Sequence, residues 1–221
     1  RQMCIRDRLN LGVTLRPPPP IMVVTMSPKT LELAGRIADG VVLHTFLTDD
    51  ATRSAVRTVR EAAERAGRDP ATVRIWSVLA TVGDHLDDTD RLRRLYGRLA
   101  TYLQGYPEPL MAVNGWAAGD LDRVRATQAF TGARGPIDAT AQPDELAELA
   151  AAIPAGWIAD SATGSTTECA KAVARQFDLG VDSVILHGAT PTELAPVVEA
   201  YRGRRPAGLT TRPVNPGRMD P

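Results

Sequence analysis

Cysteine, lysine and histidine are scarce in this sequence, and each scarcity closes off a class of protein. The two cysteines among 221 residues, Cys4 and Cys169, lie in unlike surroundings, and neither belongs to a CxxC pair. No disulfide framework is encoded, and the expected setting is reducing and cytoplasmic. Lysine occurs only at positions 29 and 171, so almost all positive charge is arginine. The 26 basic residues balance 26 acidic ones without forming a basic stripe, which speaks against nucleic acid as a partner. No apolar run reaches the roughly 18 residues a membrane-spanning helix needs, so no membrane partner is expected. The three histidines show no HxH or HExxH spacing and have no carboxylates placed beside them, so no metal site is expected.

The remaining composition, 43% hydrophobic and 24% charged, is that of an ordinary globular protein with material for a core. Arg1 to Arg8 (RQMCIRDR) has charge but no apolar stretch or periodicity, and residues 17–20 are four prolines. Residues 1–20 are therefore expected to be a truncated or non-native leader and a stiff Pro-rich spacer. Ile21 to Thr25 is short, apolar and β-branched, as a buried parallel strand should be. Ser27-Pro28 follows as N-cap and first helical residue, and Asp39-Gly40 ends that helix. Further strands are expected at 41–44, 73–82, 183–187 and, more weakly, at Trp157-Ile158-Ala159. Helices are expected from Thr48 or Asp49 to about 66, from 165 to about 179 and from 192 to 201. Residues 87–152 read as a helical insert broken near 105–107, 114–115 and 132–136. Residues 21–202 thus form one α/β unit with about five parallel strands. The tail from Gly203, residues 203–221, is Pro-, Gly- and Arg-rich and expected to be disordered.

The stretch Thr25 to Thr30 passes from strand to helix within about three residues. Backbone amides at such a helix start have no internal acceptor and attract an anion, as does the positive end of the helix dipole. The hydroxyls of Ser27 and Thr30 can add donors. Lys29 opposes the dipole by roughly 0.3–1 kcal/mol, a penalty that a bound phosphate would reverse; an ordinary capped helix with a solvated Lys29 is the plainer reading. A second turn, Thr163 to Glu168, carries the Ser-x-x-Glu pattern of a capping box, in which Glu168 occupies a donor and repels anions. His44, His85 and His187 fall at or just past strand C-terminal ends, the edge where parallel α/β folds bind ligands. His44 and His187 follow firm strands and are candidate pocket residues, whereas His85 lies in a loop. Trp76 reads as core, Tyr96, Tyr102 and Tyr106 read as packing ahead of a substrate lid, and Cys169 as an inert buried thiol.

The segment Ile21 to Gly40, IMVVTMSPKTLELAGRIADG, resembles the strand-five unit of the luciferase-like monooxygenase superfamily. There a strand and a short Gly/Ser/Pro turn precede L-x-L-A-G-x-x-A-D-G. The resemblance continues through Glu61 to Pro70, Ala162 to Cys169 and Gly180 to Pro191, covering roughly residues 20–202. Ala80 to His85 together with Leu99 to Tyr106 is similar to the branch that uses the deazaflavin coenzyme F420. The resemblance implies a (β/α)8 barrel, of which this chain holds the C-terminal half, about strands five to eight, with a helical insert. It places the cofactor phosphate or tail on Met26, Ser27, Lys29 and Thr30, although the family often has Gly where Met26 and Ser27 stand. A substrate contact of sugar-phosphate-oxidising relatives falls on His44, and His187 matches a histidine at the end of strand eight. Strands one to four, with most ring-binding and acid–base residues, have no counterpart in this chain.

The expected activity is hydride transfer between F420 and an unidentified small organic substrate, with a homodimer as one possible assembly. An FMN-dependent monooxygenase is the alternative on the same fold. A non-catalytic fragment unable to close its barrel is the alternative of another class.

Overall fold

The computed structural model describes residues 19–205. Five strands alternate with helices: β1 (Met22–Val24), α1 (Pro28–Ile37), β2 (Gly40–Val42), α2 (Asp49–Arg65) and β3 (Arg74–Gly83). Seven helices follow, α3 (Asp88–Leu92), α4 (Arg98–Gly105), α5 (Pro107–Asn114), α6 (Ala118–Arg125), α7 (Gln128–Thr131), α8 (Ile137–Thr140) and α9 (Pro143–Ala152). The unit ends with β4 (Ala162–Gly164), α10 (Thr166–Asp178), β5 (Ser183–His187) and α11 (Pro191–Arg202). Every strand pairing is parallel. The main sheet runs β1-β2-β3-β5, and β4 pairs only with Thr81–Gly83 at the far end of β3.

This is half of a (β/α)8 barrel, and the alternation of side chains along its strands shows both faces. Val41, Ile75 and Leu43 face α1 and α2, where Leu31, Ala34, Val56 and Val59 complete a buried cluster. Leu79 faces α10 and α11, against Cys169, Val173 and Val197. The intervening residues, which would point into a closed barrel, are only partly covered: Val42, Trp76 and Val78 are half-buried and Val24 is 71% exposed. The sequence pattern of Ile21 to Thr25 suggests a strand buried on both faces, and here the structure differs. β1 is an edge strand, with no neighbour opposite β2 among the described residues.

Local chemistry explains the elements. Ser27 takes the N-cap backbone conformation (φ −72°, ψ 129°) and Pro28 the first helical position, although the Ser27 side chain makes no capping hydrogen bond. Thr48 caps α2 by accepting the Ala51 N–H at 3.2 Å. Asp49 and Asp50 in its first turn and Arg65 in its last complement the dipole. Gly35 lets α1 lie directly on α2, since a Cβ there would overlap the Val59 carbonyl oxygen and the Ala62 side chain. At the N-terminal end of the sheet, Asp182 accepts the Ile75 N–H at 2.8 Å and pairs with Arg60 at 2.7 Å, tying β3 to α2.

The expected strand at Trp157-Ile158-Ala159 does not form. Ala155–Trp157 is a single 3-10 turn, and the strand lies further on, at Ala162–Gly164. Trp157 is buried by stacking on Trp116, with ring centroids 4.5 Å apart and planes 10° from parallel. Tertiary burial therefore accounts for the apolar triplet. Trp76, expected in the core, is half-buried with the Arg74 guanidinium 4.5 Å over its ring. The α3–α9 insert builds its own core from Leu99, Leu103, Leu110, Ile137, Leu146 and Leu149. It packs on Phe46, Ala80 and Val82, over the C-terminal ends of β2 and β3.

Candidate functional site

The turn after β1 and the residues after β2 share the C-terminal edge of the sheet, joined by the Thr25 N–H donating to the Val42 carbonyl at 3.0 Å. The first backbone bond of α1 is Leu31 N–H to Ser27 O, 2.9 Å. Pro28 has no N–H, so the amides of Lys29 and Thr30 are the first-turn donors left without an intrahelical acceptor. The Ser27 amide is already taken by Thr25 Oγ1 at 3.1 Å. Ser27 and Lys29 are exposed and Thr30 is half-buried; Lys29 has no ion pair among the described residues. Met26 differs from its neighbours. Its side chain lines an apolar cavity of about 260 Å³ with Leu31, Leu47, Ala55, Ala112 and Val113, between α1, α2 and α5. Only the backbone of Met26 is therefore available to an anion.

His44 lies two residues beyond β2, and His187 is the last residue of β5. α4 and α5 bring two tyrosines onto them. His44 Nδ1 lies 2.7 Å from the Thr45 carbonyl, which can only accept, so Nδ1 carries the proton. His44 Nε2 then accepts from the Tyr106 hydroxyl at 2.9 Å. Tyr102 stands edge-on to His44 (4.7 Å between centroids) and stacks with Tyr106 (5.9 Å) and with His187 (6.4 Å). The four rings form one aromatic and hydrogen-bonding surface at the barrel mouth.

Electrostatics keep this surface neutral. Burial pushes the His44 pKa below its ordinary value, against the raising effect of the Thr45 carbonyl. Burial also lowers His187, helped by the Arg98 guanidinium and by His44, with Asp138 opposing. The Tyr106 phenol is pushed up by burial and by Tyr102. A neutral imidazole with a fixed tautomer beside a protonated phenol can orient a polar substrate atom and pass a proton without carrying net charge.

The loop between His44 and α2 is held under strain. Phe46 has φ of 62°, in the left-handed region that a bulky side chain rarely adopts. Asn114, at the end of α5, fixes it: Asn114 Nδ2 donates to the Phe46 carbonyl and Asn114 Oδ1 accepts the Thr48 N–H, both at 2.9 Å. Below, Asp160 accepts the Asp49 N–H at 2.9 Å, and Arg175 pairs with both carboxylates at 3.3 and 3.6 Å. Burial, then Asp160, raises the Asp49 pKa, with Arg175 opposing.

The other candidates separate clearly. In the second turn Glu168 accepts from both the Ser165 amide and the Ser165 hydroxyl at 2.7 Å, and Ser165 Oγ accepts the Glu168 N–H at 3.3 Å. The capping box thus consumes its donors. His85 is exposed, with Nε2 2.8 Å from the Glu193 carbonyl. Cys169 is buried, and burial raises its thiol pKa to about 11, which makes it unreactive. Met26, Ser27, Lys29 and Thr30 lie together at the start of α1. His44 and His187 lie together beneath the tyrosines, and no described hydrogen bond links the two groups. Tyr102, Tyr106 and Asn114 are the residues that sequence reasoning did not assign. The signal for Tyr106 was its place at a helix break before Pro107, where the backbone (φ −153°, ψ 61°) leaves the helical path.

The fold and this edge define a class. The family model for luciferase-like monooxygenase matches residues 6–183, and the chain belongs to that family. Among solved structures it is similar to the coenzyme F420-dependent tetrahydromethanopterin reductase from Methanopyrus kandleri. There the TM-score is 0.61 and the identity 17%, over 82% of this chain and 49% of that one. It is also similar to EDTA monooxygenase from Chelativorans sp. BNC1, with TM-score 0.50 and 16% identity, over 90% of this chain and 47% of that one. The chain thus spans about half the length of the solved structures it matches, and at these identities the likeness concerns the fold.

Proposed function

We propose that this chain is the phosphate-holding half of an oxidoreductase that moves hydride between coenzyme F420 and a small organic substrate. The observation that carries this reading is the start of α1. Two unbonded amides, the Ser27 hydroxyl and a cation without a carboxylate partner among the described residues lie within one turn there, at the C-terminal edge of a luciferase-like sheet. This donor set fits the anionic tail of F420: Lys29 and Thr30 with side chain and backbone, Ser27 with its hydroxyl, Met26 with backbone alone. The deazaflavin, when bound, supplies the hydride chemistry. His44 and His187 line the substrate side, and Tyr106 and His44 hold a proton between the phenol oxygen and Nε2.

The family's monooxygenase character favours one second reading, in which the same turn holds the phosphate of FMN and the reaction consumes oxygen. Fluorescence anisotropy with F420 and FMN at equal concentrations tests both. Saturable F420 binding that weakens about tenfold or more in Lys29→Glu, the scale of one charge-assisted contact, supports the first reading. FMN binding with oxygen consumption and no F420 binding supports the second. Failure to bind either one removes the cofactor assignment.

A further inference from the structure

We infer that Asn114 is a positioning residue for His44. By clamping the Phe46–Thr48 loop it holds the Thr45 carbonyl on Nδ1, and so keeps Nε2 free of a proton as an acceptor at the barrel mouth. This role rests on the reading of His44 as a substrate-side residue for its part in the reaction, but the geometry behind it involves no cofactor.

The Thr45 carbonyl and the Phe46 nitrogen belong to one peptide plane. Just downstream, Asn114 fixes the chain at two points. Its Nδ2 donates to the Phe46 carbonyl and its Oδ1 accepts the Thr48 N–H, each at 2.9 Å. With those points held, φ at Phe46 decides which way the Thr45 carbonyl faces. At the observed 62° the carbonyl lies 2.7 Å from His44 Nδ1. An ordinary φ of about −60° would swing the plane by roughly 120° and carry the carbonyl off the ring. The left-handed value is disfavoured for a residue with a bulky side chain, so it has to be held in place. The Phe46 ring is buried among apolar residues of the insert, 6.0 Å from Tyr102. Asn114 supplies the backbone half of the hold.

Both nitrogens of the imidazole trace to one element. Tyr106, the N-cap of α5, meets Nε2 at 2.9 Å, and Asn114, the last residue of α5, governs Nδ1 through the loop. Gly115 (φ 66°) stops the helix directly after Asn114, and Trp116 then stacks on Trp157, so this end of α5 is fixed. The Tyr106 hydroxyl can donate to Nε2 or accept from it, and leaves the tautomer undecided. The Thr45 carbonyl can only accept, and decides it. In the other tautomer Nε2 is a donor and has no lone pair with which to take a proton at the mouth.

Long-range ¹H–¹⁵N spectra of the histidine rings test this on the ligand-free 221-residue chain, at about pH 8, where an imidazole is neutral. His44→Gln assigns the signal. The wild type is expected to carry its proton on Nδ1. Asn114→Ala is expected to shift the tautomer ratio about fivefold or more toward Nε2–H, the scale of one hydrogen bond. Asn114→Asp keeps an acceptor for the Thr48 N–H and loses only the donor to Phe46, so it preserves the start of α2 and is still expected to shift the ratio. Tyr106→Phe is expected to leave Nδ1–H in place. A wild-type ring protonated at Nε2 overturns the inference. So does a tautomer unchanged in Asn114→Asp, or one that follows Tyr106 instead of Asn114. Absence of F420 binding would remove the cofactor assignment and leave each of these outcomes as stated.

Discussion

His44 holds together the local chemistry of the mouth, and its partners set its behaviour. The Thr45 carbonyl fixes the tautomer, Tyr106 fills Nε2, and burial disfavours the charged form. Tyr106→Phe leaves Nε2 without its donor and is expected to cost ~1 kcal/mol in urea denaturation. The Nδ1-protonated tautomer, read from ¹⁵N shifts, is expected to persist because Thr45 O remains. The pH dependence has a definite sign. Both His44 and His187 have folded pKa values below 6.5, so as pH falls the unfolded chain takes up their protons first. Stability from this source is complete above 6.5 and is lost as pH declines toward the folded values. Thermal melts at about pH 7.5 and 5.5 should show the lower midpoint in acid, and the gap should narrow in the His44→Gln/His187→Gln variant. A midpoint indifferent to pH in the wild type would contradict the burial argument. These histidines were legible in the sequence because strand ends locate them. Tyr102 and Tyr106 were not, because helical spacing looks the same whether a ring packs in a core or covers a pocket. The Tyr106 contact, moreover, spans 62 residues.

Elements were read well wherever periodicity and caps agreed. β5 and α2 have the bounds their sequences suggest, and the breaks in the α3–α9 insert fall at Gly105-Tyr106-Pro107 and Asn114-Gly115. The miss at Trp157 came from an apolar triplet whose burial is decided by a stacking partner, Trp116, 41 residues earlier. Nor could the sequence show that α1 and α2 touch backbone to backbone at Gly35. Gly35→Ala should force the helices apart and destabilise by roughly 1–3 kcal/mol, the usual cost of overpacking, measurable by urea unfolding. The clamp on the strained loop gives a complementary test. Asn114→Ala removes both bonds to the Phe46–Thr48 segment, and hydrogen exchange at the Thr48 amide should accelerate with a loss of ~1–3 kcal/mol. Unchanged exchange there would mean that the loop holds its left-handed residue without Asn114.

At the scale of the molecule, a half-barrel gathers the strand C-termini at one edge while leaving its interior row open among the described residues. That explains why β1 reads as a buried strand in sequence and stands as an exposed edge in the structure. Val23 meets its neighbours under the helices, whereas Val24 stands 71% exposed on the other face. The α1 start makes a linked pair of expectations. Without ligand, Lys29 opposes the helix dipole, so Lys29→Glu should raise the melting midpoint of the chain alone. With a phosphate-bearing ligand the same change should weaken binding. The most direct measurement is an amide NMR titration with F420. The account predicts that the amides of residues 29 and 30 show the largest shifts, and that in Lys29→Glu these shifts need about tenfold more ligand or more. Shifts centred on Ser165 to Glu168, or none near the start of α1, would contradict it.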